Sequence, residues 1–283
     1  MAITSHSTGK TRSGGSGSAF VDLSHEITSG ATAYPGMQQP VLEDYISREK
    51  SREMYAPGTE FHSARLCLVG QSGTYLDVPF HRYADGYDLT RLDLRQVANV
   101  QACVIDTDEE EIGPECLAGR DLAGRAVLLR TGWSRHWGTD RYGNGHHPHL
   151  SAEAAALLTQ AAPAVVGIDS LNIDGTHTGE RPAHSLLLGA GIPLVEHLTH
   201  LAQLPSSGAR FTAVPVKVSG TCRSTCTYSK PPRTRSGGWW EKASWRRRYH
   251  SRRQAKSHEI YYGSCPCGTT RSCSSGRRIS SPR

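Results

Sequence analysis

Apolar and polar positions along the chain follow two rhythms, and most of the predicted elements come from them. Short stretches alternate or run apolar over five to nine residues, the period of half-buried or fully buried strands. Phe20–Ile27 (FVDLSHEI), 61–70 (FHSARLCLVG), 99–107 (NVQACVIDT), 125–133 (RAVLLRTGW), 163–174 (PAVVGIDSLNID) and 210–218 (RFTAVPVKV) are of this kind. One stretch has the helical period. SAEAAALLTQAA at 151–162 opens on a serine suited to N-capping, carries Glu153 in its first turn and is rich in Ala and Leu. AHSLLLGAG reads as a short helix stopped by glycines, and IPLVEHLTHLAQL as a strand turning into a helix. LEDYISREKSREM from Leu42 is polar throughout and reads as a mobile helix or flap, YPG at 34–36 as a turn, and 84–97 as a loop. Strands alternating with a few helices predict an α/β fold.

Charge divides the chain. Residues 221–283 hold 15 Lys+Arg against two acidic residues, so residues 1–220 hold 17 against 24, a net −7 inside a chain of net +6. An acidic body gives no footprint for nucleic acid. Cysteine divides it too: Cys67, Cys103 and Cys116 lie scattered in the body and five more crowd the tail, so the body reads as a reducing-compartment protein without disulfides. No apolar segment resembles a signal peptide or approaches membrane-spanning length, which makes a cytoplasmic, soluble protein with no membrane partner the expectation. Residues 1–19, rich in Ser, Gly and Thr, read as a disordered leader, 20–220 as the folded domain, and 221–283 as a basic tail, disordered or translated out of frame. Two other readings of the tail are a basic arm with interleaved aromatics and a zinc module drawn from CPCGTTRSC, whose spacing fits no standard finger.

The chemistry concentrates in GQSGTYLDVPFH, residues 70–81. Asp77 follows a Gly-Thr turn, and Pro79 stiffens the approach to His81. Taken alone, Asp77 is a turn residue capping backbone amides. More than a hundred residues on, His184 precedes a small apolar helix. Glu196 closes the apolar run IPLV, where a buried carboxylate needs a partner. The clusters His146/His147/His149 and His197/His200 lack further ligands nearby. The first reads as a solvated Gly-rich connection, the second as two histidines on one helix face.

Together these residues resemble the metal-dependent cyclase/arylformamidase hydrolases, a family that includes bacterial kynurenine formamidase. Its signature loop runs His-x-Gly-Thr-His-x-Asp-x-Pro-x-His, with a distant His and, twelve residues later, a Glu. This chain matches with Gly73, Thr74, Asp77, Pro79, His81, His184 and Glu196, and departs with Gln71 and Tyr75 at two histidine positions. VDLSHEI, YPG, VLLRTGW and GIDSLNID resemble further family blocks, and the likeness spans roughly residues 20–220. The resemblance implies a swivelling β/β/α domain with a mixed sheet and packed helices, assembled as a homo-oligomer. It implies that Asp77, His184 and Glu196 are metal ligands and that His81 transfers protons. It also implies hydrolysis of an amide, formamide, lactam or lactone in a small, aromatic substrate, N-formylkynurenine being the family's known one in tryptophan catabolism. Trp133 and Trp137 offer an apolar wall for such a ring, or plain packing.

Glutamine is a poor zinc ligand, and tyrosine must ionise from near pH 10 to bind well. One readable site therefore holds a single zinc or manganese ion on three ligands with a water position open. The other holds no metal and uses Gln71 and Tyr75 as hydrogen-bond donors, as in a metal-free natural-product cyclase. A catalytically silent binding relative is the third reading.

Overall fold

The computed structural model describes residues 20–31, 33–225 and 228–230, all within one unit, Met1–Ser236. The predicted leader, the CPCGTTRSC segment and the rest of the tail from 231 lie outside the described residues. β1 (Val41–Ile46) and β2 (Ser63–Cys67) form an antiparallel pair with α1 (Arg48–Arg52) between them. The segment read as a mobile helix or flap is thus half strand, 42–46, and half a short helix that Ser47 caps. A small parallel pair joins β5 (Glu111–Ile112) to β7 (His149–Leu150).

The main sheet contains β3 (Tyr75–Asp77), β4 (Val100–Asp106), β6 (Ala126–Arg130), β8 (Val165–Ile168), β9 (Leu194–Glu196), β10 (Ser207–Thr212), β11 (Arg223–Thr225) and β12 (Tyr228–Lys230). Their order is β11-β3-β9-β8-β6-β4-β10-β12. The three central pairings, β9-β8, β8-β6 and β6-β4, are parallel, and antiparallel pairings flank them on both sides. This is the mixed α/β sheet that the pattern predicts. Alternation along its strands feeds two cores. Ala126, Leu128, Val165, Val195 and Leu76 point to one face, and Val127, Leu129, Val166, Ile168 and Leu194 to the other.

Helices cover the second face. α3 (Ala152–Ala161) begins where the Ser151 hydroxyl accepts from the Ala154 amide at 3.1 Å, as its sequence predicts. It ends on Ala162 in the left-handed region, φ 50°, before Pro163. Its buried residues are small at two of three positions, Ala154 and Ala155 beside Leu158, which lets it approach α4 (Pro182–Gly189) closely. A short helix, α2 (Leu94–Val97), lies in the segment read as loop. Among the described residues no helix is long and apolar enough to cross a membrane.

Four expectations need correction. FVDLSHEI forms only an isolated bridge at Val21: Leu23 drops into the core, and the His25 amide donates to the Thr74 hydroxyl rather than to a strand. IPLVEHLTHLAQL becomes a three-residue strand and one 3-10 turn, because His197 and His200 both have positive φ, 58° and 55°, which breaks any helix between them. β10 starts at Ser207 and stops at Thr212; Pro215 has no amide to continue a ladder, and Val214, Val216 and Val218 are exposed. Finally, the boundary expected at 220 falls short of the sheet's edge. Arg223–Thr225 pairs with β3, and Tyr228–Lys230 pairs with β10.

Candidate functional site

Strand register assembles the site. On β3, Leu76 faces the first core, so Tyr75 and Asp77 project together from the opposite face. Tyr75 stands directly across from Glu196 on β9, and Arg223 on β11 directly across from Asp77. Opposed residues are the natural side-chain partners of an antiparallel pair. The Tyr75 hydroxyl donates to Glu196 Oε2, and the Arg223 guanidinium grips Asp77 with Nε to Oδ1 at 2.6 Å and Nη2 to Oδ2 at 2.8 Å.

The turn before β3 needs its glycines for space. Gly73 has φ 67°, and a Cβ there would meet Ile27 Cγ1 at 2.8 Å. A Cβ on Gly70 would come within 2.6 Å of Arg223 Cγ. After β3, Pro79 opens a 3-10 turn whose last residue is His81. Its Nε2 lies 4.0 Å from Asp77 Oδ2 and accepts from Arg223 Nη2.

His184 comes from the first turn of α4, inside the helix rather than ahead of it. Asp174, in the loop after β8, accepts from the amides of Ala183 and His184 at 2.7 and 3.0 Å and from His184 Nδ1 at 2.6 Å. One carboxylate therefore caps the helix and orients the imidazole. His184 Nε2 then points between Asp77 Oδ2, at 3.6 Å, and Glu196 Oε1, at 3.7 Å, buried and without a hydrogen-bond partner. Glu196 Oε1 accepts from the Ile173 amide at 2.6 Å. Asp77 and Glu196 are fully buried.

The electrostatics follow from this packing. Burial pushes His184 down, but Glu196, Asp174 and Asp77 outweigh it and raise it to about 10. Burial would raise Asp77, yet Arg223, with His184 and His81, holds it below the ordinary carboxylate value. Glu196 is driven up by its burial against the pull of His184. Burial lowers His81 to about 4, with Arg223 and His184 adding to it against Asp77, so its ring is neutral at pH 7.

Gln71, Tyr75, His81, His184 and Arg223 line a cavity of about 610 Å³, with Asp77 and Glu196 fully buried behind them. Asp77, His81, His184, Glu196, Gln71 and Tyr75 are thus brought together as the sequence suggests. Trp133 is not among the lining residues. It packs on Tyr142 and Leu171, its indole N–H donating to the Tyr142 carbonyl at 3.2 Å. Trp137 stacks on His25 with ring centres 3.9 Å apart. His147 and His149 are buried, not solvated as the Gly-rich context suggests. Sequence reasoning missed Asp174, Arg223 and Tyr34. None of the three carries a local signal of its role, since Asp174 lies eight residues ahead of α4 and reaches it only through the fold.

Among the described residues one trio, Asp77, His81 and His184, has its donor atoms all within 4.8 Å of one another. The Asp174–His184 pair is the kind that orients a metal-bound imidazole. Arg223, however, stands in the way. Asp77 Oδ2 and His81 Nε2 are 4.0 Å apart, so an ion at the usual distance of about 2.1 Å from each would lie near their midpoint. Nη2 is hydrogen-bonded to both atoms and already fills that space. As arranged, the residues do not fit a metal ion.

Residues 21–175 match the family described as putative cyclase. A kynurenine formamidase of Bacillus mycoides (strain KBAB4) is 30% identical over 183 residues, 64% of this chain and 82% of that one. A kynurenine formamidase of Bacillus cereus (strain ATCC 14579) is 30% identical over 189 residues, 65% and 85% of the two chains. Among solved structures, isatin hydrolase A from Labrenzia aggregata bound to benzyl benzoate superposes with TM-score 0.64 at 24% identity, covering 76% of this chain and 94% of that one. A potential metal-dependent hydrolase with cyclase activity gives TM-score 0.64 at 21% identity, covering 77% and 100%. At these identities the structures speak for the fold.

Proposed function

This chain belongs to the putative cyclase family, and we propose that it hydrolyses an amide-type carbon–nitrogen bond in a small substrate held in the 610 Å³ cavity. An aryl formamide such as N-formylkynurenine is the first substrate to consider, because relatives at 30% identity are kynurenine formamidases. The observation that carries the reading is convergence. Asp77, His184 and Glu196 come from three separate segments and meet beside His81 at distances of 3.6 to 4.0 Å.

In this reading His81 moves the proton. Neutral at pH 7, it accepts from Arg223 through Nε2, which leaves its own proton on Nδ1. As water attacks the carbonyl carbon, the carbonyl oxygen gains charge and becomes the better acceptor for the guanidinium. Arg223 Nη2 turns to it, and His81 Nε2 takes the proton of the attacking water. His81 returns that proton to the leaving nitrogen as the C–N bond breaks, so one water is added overall. Asp77, His184 and Glu196 hold Arg223 and Tyr75 in place.

The test is turnover of N-formylkynurenine and simple aryl formamides by the purified full chain, followed with product identification. His81→Ala is expected to lower kcat by about 10²–10⁴-fold. No turnover by the wild type would leave the binding reading, and product formed without added water would mean a cyclase.

A further inference from the structure

We propose that Arg223 is the resident cation of this site, its guanidinium standing at Asp77 in place of a divalent ion and excluding zinc and manganese. The inference deepens the reading of the site as a reaction centre, but it depends on geometry that needs no turnover.

Four features of the site suit a guanidinium. The first is the fork itself: Nε and Nη2 meet the two oxygens of a fully buried carboxylate at 2.6 and 2.8 Å. That parallel pair is the geometry by which arginine, always charged, satisfies a carboxylate. The second is Gln71. Its Oε1 accepts from Nη1 at 2.7 Å, and a neutral carbonyl that is weak toward zinc is a good acceptor for N–H. The third is Tyr75, whose ring lies under the guanidinium, 5.0 Å from Cζ to the ring centre; an aromatic face attracts a cation. The two loop residues that are poorest as metal ligands, Gln71 and Tyr75, therefore both contact Arg223. The fourth is Gly70, where any side chain would collide with the arginine's stem.

Position and charge agree with this. Register places Arg223 directly opposite Asp77, so the contact is set by the backbone and not by a long reach from solvent. The side chain is 12% exposed. Nη2 occupies the space between Asp77 Oδ2 and His81 Nε2 that a bridging ion would need. A guanidinium cannot be titrated away at any ordinary pH, unlike the protons that compete with metals at open sites.

The experiment measures metal directly. The full chain is purified without added metal, analysed for zinc and manganese, and titrated with zinc against a competing chromophoric chelator. Well under one ion per chain is expected. Arg223→Met, which keeps much of the side chain's length and removes its charge, should bind zinc at least about tenfold more tightly. Adding Asp77→Asn to that variant should remove the gain. One tightly held ion per wild-type chain would overturn the inference, as would an Arg223→Met protein that binds zinc no better than wild type. Should Arg223→Met not fold, Arg223→Gln, shorter and uncharged, is read the same way: tighter zinc binding supports the inference and equal binding overturns it. A hydrolase reading that fails shows as absent turnover with the metal result unchanged.

Discussion

His184 lies against Glu196, and His197 against Tyr75, the residue paired across from Glu196. Each histidine is nine-tenths or more shielded from solvent, yet burial moves them in opposite directions. His184 ends at about 10 because three carboxylates, Glu196, Asp174 and Asp77, outweigh the cost of desolvation. His197 falls to about 3 because desolvation meets only the carbonyls of Leu171 and Gly73. The shorter of those contacts, 2.7 Å from Nε2 to Leu171, is where the neutral ring's single N–H belongs. Around it stand Tyr34, Tyr75, Trp137 and Tyr142, with ring centres 5.0 to 5.7 Å away. One half of this interior is thus held by matched charges and the other by a neutral aromatic cage. What a buried imidazole faces, and not how deeply it sits, decides its state.

The sharpest way to break the charged half is to remove its fixed cation. Arg223→Ala leaves Asp77 fully buried without its guanidinium, and one-sided loss of a buried ion pair costs about 3–5 kcal/mol. Urea denaturation should show that loss, and the double variant Arg223→Ala/Asp77→Asn should recover much of it, since the stranded charge goes too. A single variant as stable as wild type would mean that Asp77 finds its compensation elsewhere. The neutral half should be untouched, with the fluorescence of Trp137 beside His25 unchanged.

These two halves were unequally visible in the sequence. The central strands and α3 announce themselves because alternation and the Ser151 cap are local signals, and they survive in the fold. Asp77, His81, His184 and Glu196 were legible as a spaced motif. Arg223 was not: one arginine in a Ser/Thr/Cys-rich stretch carries no local pattern, and its role exists only once β11 pairs with β3. The same is true of His197, whose spacing from His200 suggests a helix face. Two left-handed residues turn the backbone instead, and the ring goes inward. Trp133 misled for a related reason, since an aromatic beside a candidate site can as easily be the packing behind it.

Tyr75 joins the two halves, so changing it tests whether they are separate. Its hydroxyl donates to Glu196 and lies 3.4 Å from the Tyr34 hydroxyl, while its ring edges against His197. Tyr75→Phe keeps the ring and withdraws the donor from Glu196 Oε2. A buried acceptor left unsatisfied costs about 1–3 kcal/mol, and the loss should appear in thermal and urea melts alike. Zinc binding should not change, because Arg223 stays on Asp77. A fully neutral substitution would show that the carboxylate is protonated and self-sufficient beside Ile173.

The gentlest probe is pH, and its sign differs between the two histidines. An unfolded histidine takes a proton near pH 6.5. His197, at about 3, and His25, His81 and His147, each at about 4, do not when folded. Between pH 6.5 and 4 the unfolded chain therefore binds more protons, and stability must fall as the pH is lowered. For fully buried His197 the limiting slope is about 1.4 kcal/mol per pH unit. His184 works the other way: its raised value adds stability that is complete below pH 6.5 and is lost as pH rises through about 10. Melting temperature measured from pH 4.5 to 9.5 should accordingly pass through a maximum near neutrality. His197→Gln, which keeps a donor for the Leu171 carbonyl, should flatten only the acid side. A profile level from pH 6.5 to 4.5 would mean that His197 is charged in the fold, and the contrast between the two histidines would be gone.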